Sequence, residues 1–385
     1  MKVLIVREKW NHMSKVSGFD PLFIAFSKLP NVFVSSVYIH ETNIGESKTS
    51  KILKFVKRFV DAILNRIIKP FGLGSRVNAN IQKPKIRIST ATHLVHELTF
   101  DRVLNVYKQN EFDFVIFSVA DSQFGEGLYH ASKEFKKKSI LFFHQPPSWL
   151  KLNWRDFEIL NDFAAIVILS ESNKRFFQTQ TNIPVFLIKH GVDLSFFNLS
   201  NKNGQRHTKH ILFVGSWLRD FEMLLKVTHL LNQENFDFVL NCIIPRKDRH
   251  NMDLIRLGVY TNVNFYADLS AEELREAYQS NDLFFLPLID STANNGMNEA
   301  LACGLPVVAT NIGGVPDYLL PPIQFLAEPN NPADHVAKIK LAFEWMNQNS
   351  DYKNKTRQHA EQHLNWNEIA RELKENIESL ASSVL

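Results

Sequence analysis

The chain has 385 residues, 45% of them apolar and 22% charged. That excludes a disordered or fibrous protein, and the length exceeds one ordinary core, so two domains of about 150 to 200 residues are expected. Both cysteines, Cys242 and Cys303, lie in apolar stretches, which argues against a disulfide framework or zinc site and for a reducing compartment. The net charge of +4 is unevenly spread: from Lys48 to Arg87 eleven basic residues face one acid, Asp61, which leaves the rest of the chain at −6.

The N-terminal MKVLIVREKW has too short an apolar run for a signal peptide, and no later run is long enough to span a bilayer, so a cytoplasmic protein is expected. Val3 to Val6 reads as a first buried strand, Asn11 to Asp20 as a loop, Pro21 to Leu29 as a helix and Val32 to Ile39 as a second strand. In the basic segment 48–87, Ile52, Val56, Phe59, Ile63 and Ile67 recur at helical steps, with Lys54 and Arg58 opposite. An anionic membrane surface met through 48–71 and a core helix with a solvated basic edge both fit this pattern. Nucleic acid is not expected as a partner, because no reading module is present and the aromatics fall on the apolar face. Glu97 to Gln109 reads as helix, Phe112 to Val119 as strand, Gly125 to Lys136 as helix and Ser139 to Phe143 as strand. His144-Gln145-Pro146-Pro147 follows at the strand's C-terminal end, where α/β domains place ligands, and the same argument selects Asp121 and Gln123.

Ala164 to Leu169 and Val185 to Ile188 read as further strands, and the polar run Asn198 to Lys209 as a linker. The pattern then restarts with strand His210 to Val214 and the loop Gly215-Ser216-Trp217-Leu218-Arg219. Strand Asp237 to Ile244 precedes Arg246, and strand Val263 to Tyr266 precedes a capping box at Ser270-Ala271-Glu272-Glu273. Leu283 to Leu288 is a buried strand, Ser291 to Gly296 a loop of small and amide residues, and Met297 to Ala302 the start of a helix. Its free N–H groups and positive dipole end favour an anion. Glu299, one turn in, is placed either to accept hydrogen bonds from a sugar diol or to complement the helix dipole. Gly304-Leu305-Pro306 leads to strand Val307 to Thr310, and Gly313-Gly314-Val315-Pro316 opens another loop and helix. Such units side by side make a parallel α/β sheet with its ligand edge at the strand ends. Pro332 to Leu385 is helical by pattern.

Glu299-Ala300, Ala302-Cys303-Gly304, Pro306-Val307-Val308-Ala309 and Gly313-Gly314-Val315-Pro316-Asp317 together resemble the donor-site signature of family 4 glycosyltransferases of the GT-B fold. The resemblance implies an α/β chain with two Rossmann-like domains facing each other across a cleft. An acceptor-binding domain would cover 1–195, a linker 196–209, a nucleotide-sugar-binding domain 210–360, and a last helix over 361–385 would pack back on the first domain. It implies a hexosyltransferase that moves a sugar from a UDP- or GDP-sugar to a glycan or lipid-linked acceptor, with retention of configuration and no metal or other cofactor.

In that family two glutamates stand eight positions apart. Glu299 matches the second, which binds the ribose; Ser291 stands where the first would touch the sugar, a task left to Asp290 or to Asn294, Asn295 and Gly296. The family's diphosphate is held by an arginine and a lysine after the glycine matched by Gly215. Ser216 stands in the arginine's place and Arg219 near the lysine's, with Arg246 a second cation. The diphosphate would rest on the helix start at Asn295, Gly296, Met297 and Asn298. Ser17 and Gly18 are what remains of a glycine-rich loop facing the acceptor, and His144 reaches the cleft beside the reacting sugar carbon. The resemblance thus makes His144, Arg219 and Glu299 the catalytic set. The departures leave two other readings open, a catalytically impaired nucleotide-binding or scaffold subunit and a nucleotide-sugar epimerase of the same fold.

Overall fold

The computed structural model describes residues 1–9, 18–40, 90–123, 126–154, 156–200 and 207–384. Ser17 and the basic segment 48–87, with its expected membrane surface, lie outside the described residues. The first sheet is formed by β1 (Lys2–Lys9), β2 (Phe33–His40), β3 (Phe114–Phe117), β4 (Ser139–Phe142), β5 (Ala165–Ile168) and β6 (Val185–Leu187), in the order β2-β1-β3-β4-β5-β6. The second holds β7 (Lys209–Val214), β8 (Phe238–Ile243), β9 (Val263–Tyr266), β10 (Leu283–Leu286), β11 (Val307–Thr310) and β12 (Phe325–Ala327), in the order β12-β11-β10-β7-β8-β9. Every pairing is parallel.

Helices cover both faces of such sheets, so the central strands are apolar apart from Ser139 and Thr310: β3, β4, β5, β10 and β11 are buried at every position. In each sheet the strand order reverses once, between β1 and β3 and between β7 and β10. A crevice opens at the carboxyl ends of the strands at such a reversal, and it is the usual place for a ligand in an open α/β sheet.

One expected helix is broken. In place of a continuous run from Gly125 to Lys136, the chain forms Ala120–Gln123, Glu126–Tyr129 and Lys133–Lys137. Ser132 accepts a hydrogen bond from the Phe135 amide and so starts the third piece afresh, the local competition that serine offers to a continuing helix.

The chain passes between domains twice, at adjacent places: the Val192 amide donates to the Leu364 carbonyl at 2.9 Å. Beyond that crossing the Trp366–Val384 helix lies on the first domain. Its Ile369, Ala370, Leu373, Ile377 and Leu380 share one core with Val3, Ile5, Leu22 and Phe26. Leu373→Ala empties a fully buried site in that core; it should lower stability by about 2 to 5 kcal/mol, read as a lower urea midpoint.

Contacts also join the domains at the strand-end side. The Tyr318 hydroxyl accepts the His190 amide at 2.9 Å and donates to the Leu169 carbonyl at 2.9 Å. The Glu171 amide donates to Asp317 at 2.8 Å. Ser148 donates to Asp290 at 2.5 Å, and Thr292 donates to the His144 carbonyl at 2.5 Å.

Candidate functional site

The second domain's half of the site is built where β7 and β10 diverge. After β7, Gly215 turns the chain with φ +92°, and a Cβ there would lie 3.1 Å from an Arg219 Nη atom. The missing side chain is what lets the guanidinium fold beneath the loop. Arg219 donates through Nε to the Val214 carbonyl at 2.9 Å, through Nη1 to the Trp217 carbonyl at 3.1 Å and through Nη2 to Asn294 Oδ1 at 3.4 Å. Asn294 comes from the loop after β10, so one hydrogen bond spans the reversal. Those three acceptors are all neutral. Burial lowers the Arg219 pKa to about 10, which still leaves a cation at neutral pH, and a partly desolvated cation of this kind gains from a nearby anion.

Asn294 has a second role. Its Oδ1 accepts the Met297 amide at 3.1 Å, which caps the helix and starts it at Asn295, two residues before the expected Met297. The Asn298 amide therefore already donates within the helix, to the Asn294 carbonyl at 3.1 Å. Its side chain donates to the His190 carbonyl at 2.8 Å and ties the domains together. This corrects the expectation for Asn298: with Met297 capped and Asn298 bonded, the amides of Asn295 and Gly296 are left to face an anion at the helix start.

Glu299 is 6% exposed and accepts a hydrogen bond from the Tyr278 hydroxyl at 3.0 Å. Burial first, and the Glu299 carboxylate second, raise the Tyr278 phenol well above its usual range, so it stays protonated and keeps donating. Beside Glu299 a cavity of about 10 Å³ is lined by Asn295 from its own helix and by Gly18, His190, Gly191, Val192 and Trp366. That is room for about one water, so a ribose at Glu299 requires the domains to part. Gly18, with φ +80°, thus meets Glu299 across the same small space.

Ser291 is buried and its carbonyl accepts the Gly314 amide at 2.8 Å. Asp290 receives the Ser291 amide at 2.7 Å on one oxygen and Ser148 on the other, so its carboxylate serves the loop and the domain junction. Ser216 donates to Asp248 at 2.7 Å. Arg246 differs from the expected second cation: it is ion-paired with Asp268 at 2.5 Å, with both side chains exposed. The turn after β9, where Asp268 has φ +56°, brings that carboxylate within reach and takes up the charge.

In the first domain, His144 follows β4. Its Nε2 lies 2.6 Å from the Ser118 carbonyl, and a ring nitrogen bonded to a carbonyl must carry the hydrogen. Burial lowers its pKa to about 4, so the imidazole is neutral, with Nδ1 its remaining acceptor. The ring packs edge-on against Phe19, centroids 4.5 Å apart, and Phe19 packs likewise on His190 at 4.6 Å. Asp121, expected to line the cleft, accepts the His144 amide at 2.7 Å and the Gln145 amide at 3.2 Å. Gln123 closes the short helix beside it. Tyr278, Thr292, Ser148 and Asp248 escaped the sequence reading. Tyr278 shows in the sequence only as an aromatic on the Ala271–Ser280 helix, and nothing there announces its bond to Glu299.

Two parallel Rossmann-like domains meeting across their strand ends make this a GT-B fold. Residues 208–344, in the second domain, match the family described as Glycosyl transferases group 1. The chain is 30% identical over 166 residues to the sulfoquinovosyl transferase SQD2 of Arabidopsis thaliana, covering 39% of this chain and 31% of that one. It is 29% identical over 140 residues to the D-inositol 3-phosphate glycosyltransferase of Paenarthrobacter aurescens, covering 32% and 34%. The chain thus spans about a third of the length of the curated relatives it matches. Over the whole chain, sucrose-phosphate synthase from Thermosynechococcus elongatus superposes with a TM-score of 0.68 at 13% identity, covering 99% of both chains. Anabaena Alr3699/HepE in complex with UDP and glucose superposes with a TM-score of 0.65 at 15% identity, covering 98% of this chain and 100% of that one.

Proposed function

We propose that this chain is a retaining family 4 glycosyltransferase that takes a hexose from a UDP- or GDP-sugar to a glycan or lipid-linked acceptor, with no resident metal. The observation that carries the reading is Arg219 bonded to Asn294 across the strand reversal, a cation set beside the start of the Asn295–Ala302 helix. The departing nucleoside diphosphate gains one negative charge, on the terminal phosphate oxygen released as its bond to the sugar carbon breaks, and the amides of Asn295 and Gly296 with the Arg219 fork are placed to stabilise it. Glu299, steadied by Tyr278, receives the ribose hydroxyls once the domains part. The leaving phosphate takes the acceptor's proton, with the neutral His144 ring beside the sugar. The complexes of Anabaena Alr3699/HepE with UDP-glucose and of the E. coli trehalose-6-phosphate protein with UDP-2-fluoro glucose support the choice of donor class.

A scaffold reading has one observation in its favour: Asp248 bonds Ser216 in the loop that would meet the diphosphate, and a carboxylate there opposes an anion. Thermal unfolding in the presence of UDP-, GDP-, ADP- and CMP-sugars separates the readings when followed by transfer assays with glycan and lipid-linked acceptors, because a ligand that binds only the native state raises the melting temperature. A donor that raises it without any transfer selects the scaffold; no shift with any nucleotide sugar removes the donor site altogether. Glu299→Ala should weaken the active donor about 10- to 100-fold, the loss of a charge-assisted hydrogen bond to the ribose, measured by calorimetry.

A further inference from the structure

The His144–Gln145 peptide segment is held by three side chains from three elements. From below, buried Asp121 accepts the two amides at 2.7 and 3.2 Å. From the helix after β5, Asn173 donates to the Gln145 carbonyl at 2.9 Å. From the second domain, Thr292 donates to the His144 carbonyl at 2.5 Å. Asp121 and Thr292 thus grip the same residue from opposite domains, one by its N–H and the other by its C=O. The candidate reactive histidine of one domain and the donor-side loop of the other meet through this residue's main chain.

We propose that Asp121 is a positioning residue: its carboxylate fixes the His144–Gln145 turn in the register that lets Thr292 dock, and so sets the closed spacing of the two domains over the site. Its role in turnover rests on the glycosyltransferase reading; its control of the domain spacing does not. The placement is unfavourable for stability in itself. Burial raises the Asp121 carboxyl to about 7 against the amides that lower it, and no neighbouring charge contributes. Among the described residues, the titratable groups near it are the neutral His144 ring and, through Ser122, Glu8. With the folded value above the ordinary 3.8, the ionised form is the less stable partner of folding: the penalty is full above about pH 7 and fades as pH falls through that value. A residue kept only for packing has no reason to carry it.

The test uses Asp121→Asn, Thr292→Val and the double variant, with energy transfer between dyes at the exposed positions Lys133 and Glu344, the buried native cysteines being unreactive. An asparagine oxygen replaces an acceptor of two amides with a neutral group. We expect the D121N melting temperature at pH 8 to equal or exceed that of the original, a difference that shrinks toward pH 5, while energy transfer falls. T292V should lower the transfer by the same amount, and the double variant no further, because both changes release one peptide. In turnover, D121N should lose at least tenfold in kcat with donor Kd unchanged within twofold. Original energy transfer in D121N, or additive losses in the double variant, overturns the proposal. If D121N fails to accumulate, T292V decides by itself: unchanged spacing in T292V also overturns it. A chain that transfers no sugar with any donor removes the glycosyltransferase reading, while the energy-transfer comparison still decides the role of Asp121.

Discussion

Arg219→Ala is expected to lower turnover with the active nucleotide sugar by about 100- to 1,000-fold, the range for removing a preorganised donor to developing negative charge. The guanidinium binds three neutral oxygens and sits beside a helix start, so its positive charge is not spent on a carboxylate partner. On the proposed reading, charge on the departing diphosphate meets a cation whose geometry is already fixed. Arg219→Lys keeps the charge but has no planar fork to bond Val214, Trp217 and Asn294 together, and should recover only part of the rate. With a pKa of about 10, Arg219 stays protonated from pH 6 to 9, and no pH dependence in that window should trace to it. Steady-state kinetics with calorimetric donor binding checks all three statements; an R219A variant with original kcat/KM removes Arg219 from the site.

Gly314→Ala is expected to disturb the junction between the two domains. A Cβ at Gly314 would stand 1.9 Å from the Thr292 carbonyl oxygen and 2.5 Å from Ser170 Cβ. The first is main chain and the second belongs to the other domain, so neither retreats by a side-chain rotation. Overpacking of this kind costs about 1 to 3 kcal/mol. The backbone must move, and with it Thr292 loses its seat against His144. G314A should therefore lower the urea midpoint and open the junction to limited proteolysis, and it should weaken transfer through the loop rather than through any direct contact with substrate. Gly313 is constrained in the same direction, with φ +56° and 2.0 Å from its would-be Cβ to the Ser291 carbonyl. A G314A chain with the original midpoint and cleavage pattern would mean that the two loops do not pack this closely in solution.

The strands were legible because burial on both faces demands uninterrupted apolar runs: Val307–Thr310 forms where its residues predict. The capping box at Ser270 is present with both of its hydrogen bonds, since it is written in four adjacent residues. The helix expected from Met297 starts two residues earlier, at Asn295, because the Asn294 side chain caps it, and a cap of this kind looks like loop in the sequence. What could not be read is whatever depends on separation along the chain. Tyr278 and Glu299 are 21 residues apart, Thr292 and His144 are 148 apart, and no periodicity links them. Arg246 illustrates the converse: its type and strand-end position fit a diphosphate contact, yet the bend at Asp268 delivers a closer carboxylate. Candidate residues were visible by type and place, whereas their partners emerged only from the packing of two sheets.

The helix that runs to Val384 fills one wall of a core that begins at Val3. On the ribosome, the first domain therefore emerges incomplete and waits for everything between Ile188 and Ile369 to be translated. At about 5 to 20 residues per second that delay is on the order of tens of seconds. The second domain has all its strands by Ala327, and its cores close once the Pro332–Gln348 helix, Ala360 and Leu364 have followed. The wall of the first core next to Val3, Leu22 and Phe26 is thus the last part of that domain to be supplied.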